Sequence, residues 1–179
     1  TPGSDDANKI LYTTTDMATL GTVTGAISLT LDGGTVAQSV YGTGNESPAH
    51  GGVTTLVKGG TVVGGDVFGG GNLAQTTGNA LLTVENGKAT NLFGGGNAAG
   101  IDGTATVNME GGQVRTAIYG GCNSSGAVSG VVNVNVLGGT LGTDADHPIN
   151  IHGGGYGEAT STGNNVTVNI GQESASAAY

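Results

Sequence analysis

Positive charge is nearly absent from this 179-residue sequence. Lys9, Lys58, Lys88 and Arg115 face 13 acidic residues, for a net charge of -9. Phosphate backbones and anionic bilayers recruit basic patches, so this balance argues against nucleic acid and against a membrane surface as partners. No run of about 18 apolar residues occurs, which argues against membrane insertion by a helix. The single Cys122 excludes an intrachain disulfide framework and a Cys-rich metal site. The chain begins at Thr1 with no basic-plus-apolar leader, which fits a mature secreted protein and an excised segment equally well. Acidity together with abundant Thr, Asn and Gly leans toward an extracellular or cell-surface location.

What the chain does have is glycine, 38 residues of it, set beside its bulkiest side chains. "SVYGTGN" ends at Asn45, "DVFGGGN" at Asn72, "NLFGGGN" at Asn97, "AIYGGCN" at Asn123 and "NIHGGGYG" at Gly157. The marker residues Tyr41, Phe68, Phe93, Tyr119 and His152 are 27, 25, 26 and 33 residues apart. A period in the twenties is the signature of stacked structural units.

A second signature runs in phase. "ISLTLDGGTV" (27 to 36), "VTTLVKGGTV" (53 to 62), "LLTVENGKA" (81 to 89), "ATVNMEGGQV" (105 to 114) and "VVNVNVLGGTL" (131 to 141) are alternating apolar runs that end in a turn. "NVTVNIGQ" (165 to 172) is an incomplete sixth copy. Period-two alternation rich in β-branched residues predicts strands. The Gly-Gly and Asn-Gly pairs also suit hairpins, which makes a β-sandwich the competing fold. A sandwich needs no fixed side-chain column every 26 residues or so, whereas a parallel β-solenoid lays equivalent residues above one another about 4.8 Å apart. The expected fold is therefore an all-β parallel β-helix with coils of about 26 residues, right-handed by the general chirality of parallel crossovers. Residues 23 to 179 form the solenoid domain, with five full coils and a partial sixth. Residues 1 to 22, including the strand-competent "KILYTTT", are expected to cap the first coil, donate a strand or lead into it.

Within each coil, Val40, Val67, Leu92, Ile118 and Ile151 should form an inward aliphatic column just before a glycine corner. There, glycine is expected to supply positive φ and to remove a Cβ that would meet the next coil. Asn45, Asn72, Asn97 and Asn123 fall in register and should form a hydrogen-bonded structural ladder. Tyr156 and Gly157 stand where a fifth Asn would continue it.

The aromatic column Tyr41, Phe68, Phe93, Tyr119 and His152 follows the aliphatic one by a residue, so alternation points it outward, whereas a corner bending directly after the aliphatic residue would turn it inward. Two readings compete: a stripe for stacking against the sugar rings of a glycan, or rings that only brace one another. Asp32, Lys58, Glu85, Glu110 and Leu137 precede the turns, and the Lys between two acids reads as pairing across adjacent strands. The insertion "GTDADHPIN" (142 to 150) carries Asp144, Asp146 and His147, yet lacks the glycine and distal Glu of a calcium loop; no metal is expected. No cofactor is implied. Carboxylates are scattered rather than paired, Arg115 has no partner cluster, and no GxSxG elbow occurs, so the inventory for catalysis is thin. Asn-x-Ser/Thr sequons at Asn45, Asn123 and Asn165 matter only in a host that glycosylates.

"DVFGGGN", "NLFGGGN" and "AIYGGCN", preceded by "GGTV" or "GGQV", resemble the Gly-rich strand repeats of large secreted or surface-anchored bacterial proteins, including adhesin and autotransporter passenger β-helices. The resemblance spans residues 26 to 172. It implies a solenoid, an extracellular location and a role in adhesion or fibre formation, and it transfers no functional residue. The leading expectation is a non-enzymatic structural or adhesive solenoid that self-associates through its ends or continues in a longer chain. The alternative is a carbohydrate-binding module, and a polysaccharide-acting enzyme stands third.

Overall fold

The computed structural model describes residues 21 to 143 and 147 to 171. Among these residues there is no helix, and every strand pairing is parallel. Three stacked sheets result. The first has six strands in sequence order: Ile27–Asp32, Val53–Lys58, Ala80–Val84, Ala105–Met109, Val132–Val136 and Val166–Ile170. Ile27, Val53, Ala80, Ala105, Val132 and Val166 stand in one file, at steps of 26, 27, 25, 27 and 34 residues. The chain is a parallel β-solenoid. Its long last step leaves the register of the sheet intact, because the extra residues lie around 142 to 150, between Thr140–Leu141 and Asn150–His152 of the second sheet.

In that second sheet Gly87–Phe93 and Gln113–Tyr119 are seven-residue strands. On flanking coils the same path breaks in two, as Thr61–Val63 with Val67–Phe68 and as Thr35–Val36 with Val40–Tyr41. The third sheet stacks Ala49–His50, Thr76–Thr77, Ile101–Asp102, Ser125–Val128 and Ala159–Thr162.

Alternation decides what fills the interior. Every second residue of the first sheet points inward, so Leu82, Val107 and Val134 stack, as do Val57, Val84, Met109 and Val136. The aliphatic column Val40, Val67, Leu92 and Ile118 closes the same core from the second sheet, with Ile151 packed against it. Val53, Ala80, Ala105 and Val132 meet Ile101 and Val128 of the third sheet in a second cluster. One polar residue interrupts these files: Thr55 is buried between Leu29 and Leu82, and its hydroxyl has no hydrogen-bond partner.

The glycines divide into two kinds, which corrects the expectation that all corners use positive φ. Left-handed backbone occurs at the turns after the first sheet, as at Gly33, Gly34, Gly59 and Gly60. None of the corner glycines in "FGGGN" or "YGGCN" has it. Those positions need glycine because coils approach closely: a Cβ on Gly70 would lie 2.7 Å from Ile101 Cδ1 and 2.9 Å from the Gly96 nitrogen. The expected roles of "KILYTTT" and of residues 1 to 20, and the positions of Asp144 and Asp146, lie outside the described residues.

Candidate functional site

Strand alternation sends Tyr41, Phe68, Phe93 and Tyr119 away from the main core, where with Ala117 they form a cluster of their own. Parallel register places each ring above the one before. Neighbouring centroids from Tyr41 through to His152 are 4.8 to 4.9 Å apart, with interplanar angles of 5 to 9°. The separation repeats the spacing of strands, and it falls within the range preferred by slipped aromatic pairs. Ring faces along the column are therefore taken by other rings. Phe68 and Phe93 are each 2% exposed and Tyr119 9%, whereas His152 at the column's end is exposed. The geometry is that of mutual bracing, with the interior rings offering no face to a ligand.

Past the corner, the Asn72 amide donates to Asn45 Oδ1 at 2.6 Å, Asn97 to Asn72 at 2.7 Å and Asn123 to Asn97 at 2.8 Å. The ladder ends where its fifth rung carries Tyr156. The Tyr156 N–H donates to the Cys122 carbonyl, as the Asn123 N–H does to Gly96 one coil earlier, so Tyr156 occupies the asparagine slot. Among the described residues, nothing donates to Asn123 Oδ1.

This substitution builds a feature that the sequence reading missed. Between the aromatic column and the end of the ladder lies a cleft of about 300 Å3. It is lined by Phe93 and Tyr119 of the aromatic column, by Asn123 and Tyr156, and by Asp66, Asn91 and Thr116. Tyr156 meets Tyr119 edge-on, with centroids 5.5 Å apart and planes at 69°, and is itself 69% exposed. Asp66 and Asn91 share an outward file two residues ahead of the aromatics, and Asp66 Oδ1 accepts both the Asn91 backbone N–H at 3.2 Å and its amide at 2.8 Å. The next residue of that file is Ala117, which is buried against the aromatic rings. Burial, the Tyr156 hydroxyl and the Asp66 carboxylate together push the Tyr119 phenol above its ordinary range near 10, so it remains a hydrogen-bond donor.

The remaining candidates are placed as follows. Asp32 and Lys58 are register partners and form an ion pair at 3.3 Å. Cys122 is buried, its thiol donates to the Ala99 carbonyl at 3.2 Å, and burial pushes its ionisation upward. That is the opposite of an activated nucleophile. Among the described residues no three His, Cys, Asp or Glu side chains converge. The signal for the cleft was present in the sequence as the polar pair Asp66 and Asn91 two residues before each aromatic, but only pairing register brings it beside Tyr156.

No family model matches the chain, and neither a curated protein nor a solved structure is significantly similar to it.

Proposed function

We propose that this chain is a non-enzymatic structural or adhesive β-solenoid of the cell exterior, whose units associate head to tail. The observation that carries this reading is the strand Val166–Ile170. All five of its residues are exposed, Ile170 to 67%, and its outer edge is unpaired among the described residues. Such an edge offers backbone hydrogen bonds above an apolar end face, and edges of this kind template pairing with another strand. Among the described residues the opposite end is formed by Ile27–Asp32, whose Ile27, Leu29 and Leu31 occupy the same files as Val166, Val168 and Ile170. A second copy placed head to tail would therefore continue three apolar files in register, by a heterologous contact that propagates instead of closing. The acidic surface and the family resemblance support an exterior location.

Sedimentation velocity over a concentration series, with electron microscopy of the same samples, tests the assembly. The expected result is concentration-dependent oligomers and short fibres, abolished in Val168→Lys, which puts a charge on the apolar end. A monodisperse monomer at every concentration overturns the reading.

A further inference from the structure

We infer that the cleft bounded by Tyr156, Tyr119, Asn123 and Asp66 is a binding site for one neutral pyranose unit of a glycan. This goes beyond the structural role, and it places recognition away from the faces of the aromatic column. Three features point to a sugar. First, Tyr156 is the exposed aromatic at the cleft's lip, and an exposed ring beside polar groups suits the apolar face of a pyranose. Second, the cleft's polar groups are complementary to hydroxyls, which both donate and accept. Asn123 Oδ1 is the unanswered acceptor at the end of the ladder, and Asp66 accepts both Asn91 hydrogen bonds on Oδ1 while no described residue donates to Oδ2. The hydroxyls of Tyr119 and Thr116 supply donors. Third, the volume of about 300 Å3 lies at the small end of the range for ligand sites, which suits a single ring with its linkages leaving through the open lip.

Charge sets the class. With Asp66 at the wall and no Lys or Arg lining the cleft, a uronate or sulfated sugar would bring an anion to an unpaired carboxylate. The ligand is therefore neutral. Among the described residues the earlier coils fill the Tyr156 slot with Asn45, Asn72, Asn97 and Asn123, all members of the ladder.

Saturation-transfer NMR with the methyl pyranosides of glucose, galactose and mannose, and with methyl glucuronide, tests the site on the whole chain. At least one neutral glycoside should bind at millimolar concentration, with the glucuronide at least tenfold weaker. Tyr156→Ala should weaken binding at least tenfold while leaving the melting temperature unchanged, because the ring is mostly exposed. Tyr41→Ala, at the far end of the aromatic column, should bind as wild type. Absence of binding by all three neutral glycosides overturns the inference. So does binding that survives Tyr156→Ala, and so does equal loss in Tyr41→Ala, which would assign recognition to the column. Assembly through the ends is read separately by sedimentation, so either idea can fail alone.

Discussion

Gly95 lies directly beneath Cys122 of the following coil: a Cβ built on Gly95 would stand 2.5 Å from Cys122 Sγ and 2.9 Å from its backbone nitrogen. The obstacle is partly backbone, which a rotamer change cannot relieve. Gly95→Val is therefore expected to destabilise by several kcal/mol, well above the roughly 0.5 kcal/mol of an ordinary surface change. Gly154 supplies the contrast within the same kind of corner, since a Cβ there would have no atom within 4 Å and its φ is not left-handed. Gly154→Ala should be neutral. Urea denaturation of the two variants measures the difference, and equal effects would contradict the close-approach account.

Thr55 and Thr61 are both fully buried, yet their hydroxyls have opposite standing. Thr61 Oγ1 donates to the Lys58 carbonyl at 2.7 Å and accepts from the Gly33 N–H at 2.8 Å, tying one turn to the next. Thr55 Oγ1 has no partner. Valine has nearly the same shape, so substitution isolates the hydroxyl. Thr61→Val should cost on the order of 1 to 2 kcal/mol, and Thr55→Val should gain about 1 kcal/mol by removing an unsatisfied polar group. Opposite shifts in melting temperature are the expected readout.

Cys122 makes the fold sensitive to alkali. Burial raises its ionisation in the folded chain above the ordinary thiol value of about 8.5. A group raised in the folded state contributes stability that is fully present below the unfolded value. As pH climbs past about 8.5 the unfolded chain loses the proton first, so stability falls until the folded value is passed. Tyr119 adds the same sign from about pH 10 upward. Urea midpoints at successive pH values above 8 should decline, and Cys122→Ala should flatten the first part of that decline. An unchanged slope in the variant would remove Cys122 as its cause.

The solenoid was readable because its determinants are local and periodic. Alternation in "VTTLVK" or "ATVNM" sets which side chains face inward, and the recurrence of Asn after each corner sets the ladder. The φ of the corner glycines was not readable: Gly34 and Gly95 look alike in sequence, and only coil separation distinguishes a residue that turns the backbone from one that makes room. The cleft was hidden for a related reason. Asp66 and Tyr156 are 90 residues apart in sequence, and they come to line one cleft only through the pairing of coils. Alternation identifies faces, but which residues meet around a cavity depends on register between coils.

The asparagine ladders have a direction. From Asn72 to Asn123 each amide donates toward the preceding coil, and a second series on the first sheet does the same, Asn135 to Asn108 and Asn169 to Asn135. Aligned side-chain dipoles make the solenoid a polar rod: amide hydrogens point toward the N-terminal side, the Asn169 carbonyl oxygen looks out from the C-terminal end, and that of Asn123 stops one coil short, next to Tyr156. Two C-terminal ends brought together would set the Asn169 acceptor against its own copy, whereas at the N-terminal end the same file presents Thr30, whose hydroxyl can donate. Any stack built through these ends would inherit one arrow along its whole length, with a growing tip chemically distinct from its base.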